Sequence, residues 1–184
     1  MTPNIKIANA AMAEARAIIA QGGLVAFPTE TVYGLGADAT NDAAVAAIFD
    51  TKKRPAFNPL IVHFAYCEML APHVLMTDLA TSLADAFWPG PLTLVLKRAP
   101  DTPISKLVSA GLETMAVRVP KHPIAQSLIR ACNTPIAAPS ANRFGDISPT
   151  RAEHVAASLG DGKALILDGG QTDIGIESTV IDLC

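Results

Sequence analysis

Lys52-Lys53-Arg54-Pro55 places three cations at a predicted helix end, just before a turn that proline restricts. A lysine and an arginine flanking one residue can offer a point charge and a planar fork to the same polyphosphate. Asn58 follows within reach of that turn. The triplet also suits a solvated helix C-terminus, where cations favour the macrodipole by ~0.3–1 kcal/mol. Arg118 lies between Val117 and Val119 in an apolar run. A charge there is costly to bury unpaired, so it faces a cavity and meets an acid or an anionic ligand, or it forms a structural ion pair with a core carboxylate. His63 closes the apolar pair Ile61-Val62. A lone histidine in such a strand is more often a satisfied core residue than a ligand.

Three further polar segments begin where apolar strands end, which is where open α/β sheets place their ligands. Pro28-Thr29-Glu30-Thr31-Val32-Tyr33-Gly34-Leu35-Gly36 follows a buried strand. Its hydroxyls could orient a small polar ligand and Gly34 and Gly36 could let backbone approach it, or the segment is a turn leading into a helix. Ala138-Pro139-Ser140-Ala141-Asn142-Arg143-Phe144-Gly145 offers donors that suit phosphate or ribose, or is a plain turn. Asp168-Gly169-Gly170 through Glu177-Ser178-Thr179 forms a second pocket wall or an ordinary hairpin.

Familiar fingerprints are missing. No GxxxxGK[ST] occurs, and Gly34-Leu35-Gly36 lacks a third glycine at the dinucleotide-binding spacing. A bound nucleotide would have to be held largely by side chains. His63, His73, His122 and His154 are scattered, without an HExxH or any clustered metal ligands, and there is no GxSxG elbow. Hydrolase and metalloenzyme chemistry therefore start from a weak position.

The elements that must position these residues follow from apolar spacing. Ile7, Ala11, Ala15, Ile18 and Ile19 recur at helical intervals until Gly22-Gly23, and Leu24 to Phe27 read as a buried strand. Thr40 or Asn41 caps a helix through Ile48-Phe49, and Leu60 to Phe64 form a strand after Asn58-Pro59. Thr77 opens a helix through Phe87-Trp88 that Pro89-Gly90-Pro91 ends, ahead of the strand Leu92 to Leu96. Met115 to Val119 read as a strand, Pro123 to Cys132 as a proline-opened helix, and Pro135 to Ala138 as a strand. Thr150-Arg151-Ala152-Glu153 has the capping-box pattern with a helix behind it, and Ala164 to Leu167 and Thr179 to Leu183 are strands. Roughly seven strands among five or six helices, with no repeat or linker, predict one α/β domain over residues 1–184, built on a twisted mixed sheet flanked by helices.

With 184 residues, half of them apolar, and no apolar run near the roughly 18–20 residues of a membrane helix, the chain is expected to be soluble and away from membranes. Its N-terminus lacks a signal-peptide pattern, which points to the cytoplasm. Cys67, Cys132 and Cys184 lie far apart and are odd in number, so neither a disulfide framework nor a CxxC site is expected. A net charge of −3 confines any RNA contact to a local patch.

Taken in order, Pro28–Gly36, Lys52-Lys53-Arg54-Pro55-Ala56-Phe57-Asn58-Pro59-Leu60, Trp88-Pro89-Gly90-Pro91-Leu92-Thr93, Ala116-Val117-Arg118-Val119-Pro120, Ser140-Ala141-Asn142 and Glu177-Ser178-Thr179 resemble the YrdC-like family of threonylcarbamoyl-AMP synthases, from about Ile18 onward. The resemblance implies a twisted mixed sheet, with flanking helices, around a deep cavity. It also implies formation of L-threonylcarbamoyladenylate from L-threonine, bicarbonate and ATP with Mg²⁺, the first step of threonylcarbamoyladenosine modification in tRNA. By position, threonine would meet Thr31, His63, Arg118, the backbone of Ala138, and Ser178. Nucleotide and phosphates would meet Lys52, Arg54, Asn58, Thr114, Ser140, Asn142 and Ser148, with Lys52 and Arg54 as the catalytic pair and Lys53 solvated. A downstream threonylcarbamoyl-transferase complex would take the product, and tRNA or double-stranded RNA is a further possible partner. The rival readings are a double-stranded RNA or tRNA-binding module without catalysis, and a carbamoyl-adenylate domain of hydrogenase maturation. Relatives usually continue past the last motif into a further strand and an arginine-proline-glycine segment, and longer ones add a second domain.

Overall fold

A computed structural model describes residues 4–184. Among them nine strands and six α-helices run in the order β1 (Ile5–Ile7), α1 (Ala8–Ala20), β2 (Val25–Pro28), β3 (Tyr33–Asp38), α2 (Asp42–Lys52), β4 (Ile61–His63), α3 (Cys67–Leu70), α4 (Asp78–Phe87), β5 (Leu92–Lys97), β6 (Thr114–Arg118), α5 (Pro123–Cys132), β7 (Ile136–Ala137), α6 (Ala152–Leu159), β8 (Leu165–Asp168) and β9 (Thr179–Asp182). All nine strands join one mixed sheet in the order β1-β8-β2-β3-β7-β4-β6-β5-β9.

Alternation along the strands sorts the core into two layers. Val25, Phe27, Leu165 and Leu167 pack beneath α1 and α5, against Ala11, Ala15, Ile19, Leu128 and Ile129. Ala26 and Ile166, between them in sequence, face the opposite layer with Leu35, Val62, Leu94 and Leu96, which α2, α4 and α6 cover through Ile48, Ala80 and Val155. Helices on both faces explain why these strands read as continuous apolar runs. No helix among the described residues is long and apolar enough to cross a membrane, and Cys67, Cys132 and Cys184 are free thiols.

The helix starts obey the capping signals at two predicted points. Asn41 Oδ1 accepts the Ala44 N–H at 3.1 Å and Thr77 Oγ1 accepts the Ala80 N–H at 3.1 Å. The third signal is overturned. Arg151, not Thr150, is the N-cap of α6, and no side chain caps it. The Thr150 N–H instead reaches His154 Nδ1 at 3.4 Å, so the imidazole occupies the place where a capping box would have formed.

Two strands exceed the expected seven. Ile7 lies outside the helix, as its N-cap; it ends β1, which pairs in parallel with β8, and its side chain is exposed. The segment after β2 does not lead into a helix either. It folds back as β3, antiparallel to β2 with Phe27 opposite Gly34 and Val25 opposite Gly36. Gly36 serves packing, not ligand approach: a Cβ there would lie 2.6 Å from Phe27 Cε1 and 2.8 Å from Ile136 Cγ2. Gly36→Ala should therefore overpack the sheet and lower unfolding stability by about 1–3 kcal/mol. A urea midpoint that falls with the slope unchanged would show this, and an unaltered midpoint would refute it.

Candidate active site

Four chain segments meet over one face of the sheet: the turn between β2 and β3, strands β4 and β6, and the chain leaving β7. Strand register does the assembly. His63 pairs with Arg118 in parallel and with Ile136 in antiparallel, so the last residues of β4 and β6 stand side by side.

The turn holds its shape through Thr29. Its Oγ1 donates to the Val32 carbonyl at 2.7 Å and accepts the N–H groups of Thr31 and Val32 at 3.2 and 3.3 Å. The Thr31 hydroxyl lies 2.8 Å from it. Thr31 Oγ1 accepts from Arg118 Nη1 at 3.0 Å and borders the cleft described next.

Arg118 is both things the sequence allowed. Its Nη2 donates to Glu30 Oε1 at 2.6 Å, with only 3% and 7% of the two side chains exposed, so a buried ion pair is present. Its Nε donates to the Gly90 carbonyl at 3.1 Å. The same side chain also borders a cleft, together with Thr31, His63, Ala138, Ser140 and Glu177. The cleft measures about 30 Å³, close to the share of one liquid water, where the resemblance implied a deep cavity. Burial, and then the charge of Arg118, push His63 down to about 3, so its imidazole is neutral. The carbonyls of Ile136 and Ile61 pull weakly the other way, but His63 Nδ1 has no hydrogen-bond partner. The Ala138 N–H is engaged by the Ile61 carbonyl at 2.9 Å, which leaves its own carbonyl for a ligand.

The basic triplet divides as its positions require. Lys53 caps α2 in the left-handed conformation, φ 54°, and is exposed. Lys52 is 1% exposed, which rules out a solvated helix end for it. Its ammonium donates to the carbonyls of Ser140 and Asn142. Its own carbonyl accepts the Phe144 N–H at 2.8 Å, so the lysine is stapled to the 140–144 loop from both ends. Burial, and then the neighbouring Arg54, lower Lys52 to about 8, while Glu177 and Asp146 oppose the shift. Arg54 donates from Nε to the Asn58 carbonyl at 3.1 Å and from Nη2 to the Pro59 carbonyl at 2.8 Å, with its guanidinium 5.9 Å from the centre of the Phe144 ring.

Asn142 donates from Nδ2 to the carbonyls of Arg143 and Asp146, and its Oδ1 is buried without a partner. Ser148 Oγ donates to Glu177 Oε1 at 2.5 Å, which joins the two rims of the cleft. Ser178 stands one residue behind that wall, with its hydroxyl 2.7 Å from Thr93 Oγ1. Thr114 begins β6 two residues before Ala116, which pairs with Ile61, so it stands on the side of Asn58 and Pro59 and not on that of Arg118.

Sequence reading missed Glu30 and Glu177 as individual residues. Both lay inside quoted segments, valued there for hydroxyls and glycines. A buried arginine does signal a buried acid somewhere, but the Glu30 pairing spans 88 residues and only the strand order supplies it.

The Sua5/YciO/YrdC family model, described as "Telomere recombination", matches residues 17–184. A curated relative from Bacillus subtilis, threonylcarbamoyl-AMP synthase, is 52% identical over 176 residues, covering 92% of this chain and 49% of that protein. The chain thus spans about half the length of that relative. The solved structure of Pyrococcus abyssi Sua5 complexed with L-threonine superposes with a TM-score of 0.90 at 52% identity, covering 94% of this chain and 50% of the other. Escherichia coli YciO shares the fold, with a TM-score of 0.82 at 23% identity over 98% of this chain and 87% of the other.

Lys52 carries a pH signature. Its value is lowered on folding, so between about 8 and its ordinary 10.5 the unfolded chain binds more protons and stability rises with pH. Below pH 8 the cost of the buried charge is fully present. Urea unfolding at pH 7, 8.5 and 10 should show native protein gaining stability relative to Lys52→Met across that window. Parallel pH dependences would refute the shift.

Proposed function

Because the chain belongs to the Sua5/YciO/YrdC family, we propose that it forms L-threonylcarbamoyladenylate and pyrophosphate from L-threonine, CO₂ derived from bicarbonate, and ATP, the first step of threonylcarbamoyladenosine modification in tRNA. What carries this assignment is the meeting, in one cleft, of a guanidinium, a hydroxyl acceptor and a neutral imidazole, beside a preorganised pair of cations. Those groups match the carboxylate and hydroxyl of threonine and the phosphates of a nucleotide. The threonine complex of the archaeal relative supports the same ligand here. Relatives named as synthases support catalysis over an RNA-binding module.

Threonine would lay its carboxylate against Arg118 and its hydroxyl against Thr31, with His63, the Ala138 carbonyl and Ser178 around it. ATP would lie along Lys52, Arg54, Asn58, Thr114, Ser140, Asn142 and Ser148. With space for about one water in the cleft, both substrates would have to part the rims that Ser148 and Glu177 join. The free amine adds to CO₂ and loses a proton, giving a carbamate. A carbamate oxygen then attacks the α-phosphorus, and the bond to the β-phosphate oxygen breaks to release pyrophosphate. Lys52 and Arg54 would offset the charge that develops there, and holding the two partners in line would supply most of the remaining acceleration. Mg²⁺ arriving with ATP would neutralise further phosphate charge, and Glu177 is the one carboxylate on the cleft wall that could face it. The product would pass to a downstream threonylcarbamoyl-transferase complex, in a cytoplasmic setting where tRNA is at hand.

Incubation with threonine, bicarbonate, Mg²⁺ and ATP should yield threonylcarbamoyl-AMP by mass spectrometry. Arg54→Ala and Lys52→Ala should each cut threonine-dependent pyrophosphate release by ~10²-fold or more, the scale of losing one preorganised donor. Unchanged turnover in both would remove them from the site. Serine, which lacks only a methyl, should lose ~1–3 kcal/mol of specificity, while valine, which leaves the hydroxyl acceptor unmet, should lose more. Equal ATP consumption with all three amino acids would contradict a site built around Thr31.

A further inference from the structure

Glu30 has no assigned role in ligand binding, yet it is the hub of the arginine network. Its Oε1 accepts from Arg118 Nη2 at 2.6 Å, and its Oε2 accepts the N–H groups of Lys121 and His122 at 3.0 and 3.3 Å. His122 is the N-cap of α5, so that second oxygen rests on amides at the start of a helix, where negative charge is favoured. The carboxylate is thus divided. Half of its hydrogen-bonding capacity serves the arginine, and the other half is drawn off by the backbone.

That division matters for what Arg118 can still do. Of its five N–H groups, three go to Gly90, Thr31 and Glu30, which leaves two. The guanidinium borders the cleft. A fork clamped on three sides, with two donors unspent, is prepared to accept a second carboxylate.

We propose that Glu30 is a positioning residue that sets specificity for ligands bearing a carboxylate, by fixing the plane of Arg118 against Thr31 while leaving its remaining donors to the ligand. This rests on the proposed threonine site. Glu30 touches no ligand itself; it acts through Arg118, and through Thr31 on the far side of the same fork.

The test compares L-threonine with L-threoninol, which replaces the carboxylate with a hydroxymethyl group, by calorimetric titration of the full chain. Native protein should prefer threonine. Glu30→Gln should weaken threonine binding tenfold or more, leave threoninol within twofold, and leave ATP affinity within twofold. Glu30→Asp, which keeps the charge but draws it back by one methylene, should show the same selective loss; it also serves if the glutamine variant does not fold. Loss of both amino ligands and ATP together would mark Glu30 as merely structural and overturn the inference. Variants that keep the native preference for threonine would overturn it while the proposed function stands. Native protein that binds neither threonine nor ATP would overturn both.

Discussion

A guanidinium buried to 3% exposure must have its charge answered, and in this chain the answer organises the whole site. Arg118 joins the end of β6 to the turn that precedes β3, through Glu30 and Thr31, and to the segment before β5, through Gly90. Glu30 extends the tie to the start of α5. Three stretches far apart in sequence, around Glu30, Gly90 and Arg118–His122, are therefore held by one ion pair and its hydrogen bonds. A buried pair of this kind is weak evidence for added stability, because desolvation offsets much of the attraction. Its worth lies in geometry: it sets where the arginine, the threonine hydroxyl and the neutral imidazole stand relative to one another.

That geometry depends on β3 returning beside β2. The glycine at 36 admits Phe27 and Ile136 at distances no side chain would allow, and the antiparallel return of β3 brings the turn Thr29–Val32 back over the sheet. The segment after β8 then closes from above. Ile174 and Gly175 donate to the carbonyls of Glu30 and Thr31, and Tyr33 bridges the Gly170 carbonyl and the Gly169 N–H through its hydroxyl. The connection from β8 to β9 is thus hydrogen-bonded across the turn that carries Glu30 and Thr31.

What the sequence made legible follows from how local each signal is. Helix α5 was readable to its ends, since Pro123 fixes the start and Asn133 accepts the left-handed position after Cys132. Short apolar runs placed β2, β5 and β8 to within a residue or two. β3 was hidden because two of its six residues are glycines that carry no periodicity, and β1 because three residues are too few to show any. The capping box at Thr150 failed for a local reason no pattern encodes, the competing imidazole of His154. In the site, Thr31, His63, Arg118, Ala138 and Ser140 all reach one cleft.

Lys52 shows how a cation can be structural and still be available. An ammonium has three N–H groups, and two of them go to the carbonyls of Ser140 and Asn142. Arg54 likewise gives two of its five to the carbonyls of Asn58 and Pro59. Neither residue has a carboxylate within ion-pair distance among the described residues, so both are held by dipoles, while Glu177 acts on both, and Asp146 on Lys52, from farther away. Backbone carbonyls fix the position of a cation without cancelling its charge, which a carboxylate would do. A cationic pair anchored in this way needs little reorganisation when negative charge arrives, and that is the property electrostatic catalysis requires.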